Sequence, residues 1–230
     1  MKKISLNGPW QLRYCQEGQG QAQDWPLNGG IGEYITAQVP GDVHIDLTAA
    51  GIIDEPLYGQ NASTLTWMEA YDWWYSREFD VPDDFDLDQV ELCFEGLDTD
   101  ADIWLNGQHV GKHANMFIPY RCNVTEAVHP GRNRLVVRVD CGLRQAKDRE
   151  VKRYLGIGDK FGKYPRMWIR KAQFTFRWDH VPHLLTCGIW RPVELQSFKE
   201  AILRDVCLRT SLQPDGQAIV HLFFEIQNLH

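Results

Sequence analysis

Asn106-Gly107 sits between two alternating runs, Ala101–Leu105 and Gln108–His113. Asn-Gly is the strongest short hairpin signal, because both central residues of that turn take positive φ and these two residues tolerate it best. The pair therefore predicts two antiparallel strands joined by a tight turn. Other runs alternate in the same way: Trp10–Cys15, Trp74–Phe79, Val90–Glu95 with Val90, Leu92 and Phe94 on one face, and Asn133–Asp140 after the Pro130-Gly131 turn. Phe174–Phe176 and Ile189–Leu195 are read as the remaining strands of this set. A side-chain period of two places alternate residues on one face, so each run is a half-buried strand. Helical periodicity is confined to Asp42–Ala50, closed by Gly51. Many strands, tight turns and one short helix predict an all-β antiparallel sandwich, with long returns that favour a jelly roll.

The chain has 230 residues, 43% of them hydrophobic, enough for a full core and one to two domains. Its net charge of -7 excludes a nucleic-acid backbone as partner. No run reaches the roughly 18 apolar residues that a membrane span needs, and the start Met1-Lys2-Lys3-Ile4-Ser5 forms no apolar signal segment. A cytoplasmic location is expected. None of Cys15, Cys93, Cys122, Cys141, Cys187 and Cys207 forms a Cys-x-x-Cys pair, so they are read as reduced, buried small hydrophobes. No cofactor is expected.

Two stretches depart from the strand pattern. Arg144 to Lys171 is basic, glycine-containing and long for a loop in a compact domain, which predicts a functional excursion. Beyond residue 200, Asp205–Ser211 and Ala218–Ile226 flank a Pro214-Asp215-Gly216 turn, and the chain stops at His230. Two strands make no stable sheet alone, so residues 201–230 are read as the first hairpin of a second β domain in a longer polypeptide, after a first domain at 1–200.

Trp178-Asp179 closes the run from Phe174 and is the candidate binding pair. An indole stacks on the C–H face of a pyranose, and a carboxylate accepts from two hydroxyls. Taken alone, the pair fits a core tryptophan beside a turn-forming aspartate at least as well. Other constellations are weaker. His180 and His183 have metal-like spacing but no third ligand, so they are read as loop histidines and no metal is assigned. Asp98, Asp100 and Asp102 alternate like a calcium loop but lack its glycine and terminal glutamate, so they are read as solvent-facing acids at a strand entry. Trp67, Trp73 and Trp74 with Tyr71 and Tyr75 are read as core rather than as a second sugar platform.

Several segments in order resemble the N-terminal sugar-binding domain of glycoside hydrolase family 2, and within it the β-mannosidases. They are Leu6–Trp10; Val39-Pro40-Gly41-Asp42-Val43-His44 with Asp46-Leu47 and Gly51–Gly59; Asp72–Tyr75; Gly96–Gly111; and Arg170–Gln173 with Phe176, Trp178-Asp179 and Gly188–Trp190. The resemblance runs to about Phe198. It implies a galactose-binding-like jelly-roll β-sandwich followed by an immunoglobulin-like domain and a (β/α)8 barrel. It also implies a retaining exo-hydrolase that releases terminal β-mannose, whose two catalytic glutamates lie in the barrel, beyond His230. No catalytic residue is assigned in this chain. Trp178 and Asp179 carry over as substrate-binding residues of the subsite for the non-reducing sugar. Relatives read Trp-Asp-Trp-Gly where this chain has His180-Val181 after the pair. The implied partners are a β-mannoside or related glycoside and the barrel of the same polypeptide. The alternatives are a free-standing carbohydrate-binding module and a β-galactosidase- or β-glucuronidase-type member of the family.

Overall fold

The computed structural model describes residues 1–30, 32–147, 149 and 166–229. His230, beyond which the barrel glutamates are expected, lies outside the described residues. The strands are β1 (Lys2–Ser5), β2 (Gly8–Gln16), β3 (Ile35–Val39), β4 (Tyr71–Val81), β5 (Gln89–Phe94), β6 (Asp100–Leu105), β7 (Gln108–Ala114), β8 (Tyr120–Asn123), β9 (Gly131–Asp140), β10 (Phe176–Trp178), β11 (Val181–His183), β12 (Val193–Phe198), β13 (Ala201–Leu212) and β14 (Ala218–Asn228). A four-stranded sheet runs β1-β12-β5-β8 and a six-stranded sheet runs β3-β2-β4-β9-β6-β7, with antiparallel pairing throughout. Leu92 and Phe94 of one sheet share a buried core with Leu12, Tyr75, Ile103 and Val137 of the other. Each such side chain removed from water contributes about 1.5–3 kcal/mol, which holds the two layers together. This is the all-β galactose-binding-like sandwich that the alternation and the resemblance predicted.

The Asn106-Gly107 turn forms as expected, with φ of 53° and 83°. Asn106 also ties the turn to its neighbours. Its amide donates to the Ala127 carbonyl and to Asn133 Oδ1, both at 2.8 Å, and its Oδ1 accepts from the Arg134 backbone at 2.8 Å. The predicted helix is Val43–Ala49. Asp42 caps it by accepting from the His44 N–H at 2.8 Å, and Gly51 leaves it with φ 68°.

The central strands β4, β6 and β9 of the six-stranded sheet are buried on both faces over much of their length, which the alternating pattern did not require. On the sheet's outer face Trp74 stacks on Trp104 at 5.4 Å and meets Trp25 edge-on at 5.7 Å. The short helix Trp25–Asn28 covers this cluster with Cys15 and Val136. In the aromatic cluster at 67–75, Trp73, Trp74 and Tyr75 are core as read, each 1% exposed, while Trp67 and Tyr71 are half-buried and pack against it.

Four expectations are corrected. Phe174 does not lie in a strand; Gln173–Thr175 is a 3-10 turn closed by the Thr175 hydroxyl on the Ala172 carbonyl at 2.7 Å, and the strand starts at Phe176. The strand expected from Ile189 begins only at Val193, because Ile189 and Gly188 give their carbonyls to Gly41 and Asp98 instead of to a ladder. Asp98 and Asp102 do not face solvent. They are 2% and 6% exposed and paired with buried cations. Cys207 is exposed rather than buried, since its strand β13 lies outside the sandwich, and Cys122 is half-buried on the edge strand β8.

The hairpin expected within 201–230 is present, paired from Ala201↔Asn228 to Leu212↔Ala218, and its strands pair only with each other among the described residues. Leu208↔Leu222, Thr210↔Val220 and Leu203↔Ile226 share one face, which makes that face apolar. It is open to solvent, with Leu222 at 54% and Phe224 at 47% exposure. Most of the excursion expected at 144–171 lies outside the described residues. Its described ends are the short helix Leu143–Ala146 and the 3-10 turn Arg166–Trp168.

Candidate functional site

The segment 166–189 crosses one end of the sandwich and carries Trp178 and Asp179. Trp178↔Val181 is the last pair of the β10–β11 hairpin, so Asp179 and His180 form its two-residue turn. Trp178 is 51% exposed, which rules out the core reading of this ring. Asp179 is exposed beside it. Arg177, just before the pair, takes φ 87°, an uncommon conformation for a residue with a Cβ. The two candidate residues thus adjoin at the end of the hairpin, an indole half exposed to solvent and an exposed carboxylate.

The tip projects from a well-anchored base. Phe176 packs into a small satellite core with Cys141, Leu143, Ala146, Ile169 and Leu185. Lys171 is completely buried and bonds to Asp98, to the Thr186 carbonyl at 2.6 Å and to Thr186 Oγ1 at 3.2 Å. The Thr186 hydroxyl donates to the other Asp98 oxygen at 2.6 Å. A buried ammonium is tolerated only where its charge and its donors are met, as they are here. The Cys187 N–H donates to Asp42 Oδ2 at 2.8 Å, and Asp98 and Gly188 exchange backbone bonds at 2.9 and 2.8 Å. The base is therefore fixed to the helix start and to the β6 entry at once.

Nearer the tip, His183 Nε2 lies 2.5 Å from Glu69 Oε1, on the 3-10 turn Thr66–Ala70 that leads into β4. The Glu69 hydrogen bond, opposed by partial burial, lifts His183 above its ordinary value of 6.5. His180 is exposed on the turn, so the two histidines do not converge. No cluster of three metal-ligating side chains occurs among the described residues.

A second charged group covers the outer face of the six-stranded sheet. Arg138 bonds Asp140 at 2.5 Å, Asp102 at 2.8 Å and Asp72 at 3.2 Å, and Arg144 bonds Asp72 at 2.5 Å. Burial pushes the Asp102 carboxyl up, but the Arg138 guanidinium with His109 and Lys112 outweighs it and holds Asp102 below its ordinary value. This network ties β4, β6 and β9 together. Sequence reasoning missed the partners of Lys171 and of His183. The spacing between Lys171 and Asp98, 73 residues, leaves no local pattern to read.

Comparison with known proteins gives a consistent result. Residues 10–191 match the family described as the glycosyl hydrolase 2 galactose-binding domain-like family. A probable β-mannosidase of Caenorhabditis elegans is 35% identical over 217 residues, covering 90% of this chain and 23% of that protein. The solved β-D-mannosidase of Dictyoglomus thermophilum superposes with a TM-score of 0.78 at 29% identity, covering 100% of this chain and 31% of that one. The Ruminococcus gnavus β-glucuronidase shares the fold, with a TM-score of 0.66 at 19% identity over 99% of this chain and 33% of that one. This chain spans about a third or less of the length of each of these proteins. With most of its residues matched by one family and an architecture to suit, the chain belongs to the galactose-binding-like domain family of glycosyl hydrolase 2.

Proposed function

We propose that this domain walls the sugar subsite of a β-mannosidase-type exo-glycosidase, within a longer polypeptide that carries the catalytic machinery. Trp178 packs against the C–H face of the non-reducing mannose, and Asp179 accepts from its hydroxyls. The observation that carries this reading is the exposed indole–carboxylate pair at the β10–β11 tip, on a base fixed by buried bonds. Such contacts act away from the bond being broken, and their binding energy is available to the transition state. Retaining hydrolysis requires two carboxyl groups about 5–5.5 Å apart, which the reading assigns to a barrel beyond His230. The similarity to mannosidases at 29% and 35% identity supports the mannoside over the glucuronide, whose relative matches at the level of fold. The same reading makes β13 and β14 the opening hairpin of an immunoglobulin-like domain, which would cover their apolar face.

The test uses an aryl β-mannoside with the 230-residue chain and with the full-length polypeptide. Hydrolysis by the full-length protein and none by the shorter chain is expected. Turnover by the shorter chain alone would overturn the assignment of catalysis to another domain. A module that binds mannan unaided, with no hydrolase in the same polypeptide, would replace the enzyme reading.

A further inference from the structure

We propose that Glu69 and His183 form a positioning clamp that sets the Trp178–Asp179 tip and tightens when His183 is protonated. The proposal deepens the sugar-subsite reading and rests on it for its functional meaning. Its physical basis is independent of any sugar.

The hairpin β10–β11 is three residues long on each side and pairs with no other strand among the described residues. Its inner side is seated by Phe176 in the satellite core. A side-chain bond also runs from the hairpin to the sandwich, from His183 to Glu69, at 2.5 Å and across 114 residues of sequence. Phe176 and His183 are direct cross-strand partners, with ring centroids 6.4 Å apart. A shift of the His183 ring therefore moves the strand that ends in Trp178. Glu69 is itself held on the 3-10 turn before β4, where its carbonyl accepts from the buried Cys141 thiol at 3.5 Å. The clamp thus joins a short hairpin to the 3-10 turn that leads into β4.

Arg166 brings one charge to this side of the hairpin, its guanidinium 5.8 Å from the ring of Phe176, the cross-strand partner of His183. Glu69 faces His183 from the 3-10 turn before β4, and Arg177 opposes its protonation from β10. The two 3-10 turns packed on β11, Asn61–Thr64 and Gln173–Thr175, bring no ionisable side chain. The Phe176 backbone adds a hydrogen bond that favours the charged ring. A protonated ring carries two N–H groups, one for Glu69 and one for the Phe176 backbone, together with a charge opposite to that of the carboxylate; a neutral ring keeps one N–H and loses the ion pair. Since the folded protein holds this proton more tightly than the unfolded chain, the clamp is fully engaged below pH 6.5. It loosens as pH rises through the elevated value of His183.

Amide hydrogen exchange of the 230-residue chain tests this at about pH 5.5 and about pH 8.5, after correction for the intrinsic rate. Amides of residues 176–184 are expected to exchange about fivefold faster at the higher pH, while those of β4 and β9 stay protected. Glu69→Gln and His183→Gln should each give the faster exchange at both pH values, with no pH dependence left. A flat profile in the unaltered chain would overturn the clamp. So would a Glu69→Gln profile that still responds to pH, or β4 and β9 opening in step with the tip. An Asp179→Ala full-length enzyme with unchanged kinetics would defeat the sugar subsite and leave this exchange pattern intact, so the two claims fail separately.

Discussion

Strands β5 and β14 carry the same kind of message and meet opposite fates. In β5, Val90, Leu92 and Phe94 are each 0% exposed. In β14, Val220, Leu222, Phe224 and Ile226 are 57, 54, 47 and 63% exposed. Both alternate, and both pair in register with antiparallel neighbours. The difference is the second layer. The apolar face of β5 meets the six-stranded sheet, whereas β13 and β14 form a two-stranded ribbon with no sheet laid on them among the described residues. Alternation makes a strand and marks its inner face, but only a facing layer converts that face into stability.

The sharpest way to break this comparison is to remove a ring from each region. Phe94→Ala should cost about 3–5 kcal/mol in urea unfolding of this chain, through lost burial and the cavity left behind. A cost under about 1 kcal/mol would mean that the sandwich core is not where the stability lies. Lys171→Met should have an effect of similar size, because it strands the buried Asp98 carboxylate. Adding Asp98→Asn should recover part of the loss, and a double variant as unstable as the sum of both would argue against a coupled pair.

A smaller effect of opposite sign is expected at Asp46, on the helix Val43–Ala49. Burial is the main reason its carboxyl is pushed up to about 6, with the neighbouring Asp42 charge adding to it and a bond from the Gln38 backbone opposing. One of its oxygens is buried without a partner among the described residues. The folded state therefore holds the Asp46 proton more tightly than the unfolded chain does. That contribution to stability is complete below pH 3.8 and is lost as pH rises towards 6. Asp46→Asn should stabilise the chain by about 1–2 kcal/mol near neutral pH and flatten this slope. An unchanged pH profile would refute the assignment. The smallest effect belongs to β14: Phe224→Ala in this chain should change stability by less than about 0.5 kcal/mol. In the full-length polypeptide the same change should cost several times more if another layer covers the face. Equal values in both contexts would remove the shared-domain reading.

The parts of the fold legible in the sequence are those set by local rules. Asn106-Gly107 named its own turn, Asp42 and Gly51 bounded the helix, and alternation located β2, β4, β5, β6, β7, β9, β13 and β14. What alternation could not show is which outward faces are covered. Asp102 and Arg138 lie on the solvent side by period, yet they are buried in a network contributed by three strands. The closing segment was legible only in its residues, not in its course. Gly188 and Ile189 bond to Asp98 and Gly41, residues about 90 and 150 positions earlier, and no local pattern encodes such a choice. The Trp178–Asp179 pair was legible as an indole next to a carboxylate. Its exposed two-residue turn, its buried lysine base and its link to Glu69 came from tertiary packing.

The most direct measurement is kcat/KM for an aryl β-mannoside in the full-length polypeptide, comparing the unaltered protein with Asp179→Ala. Loss of a carboxylate bond to a sugar hydroxyl should lower kcat/KM by about tenfold or more. The melting temperature should stay the same, because Asp179 is an exposed turn residue. An unchanged kcat/KM, or a fall that only tracks lost stability, would contradict the placement of this tip in the sugar subsite.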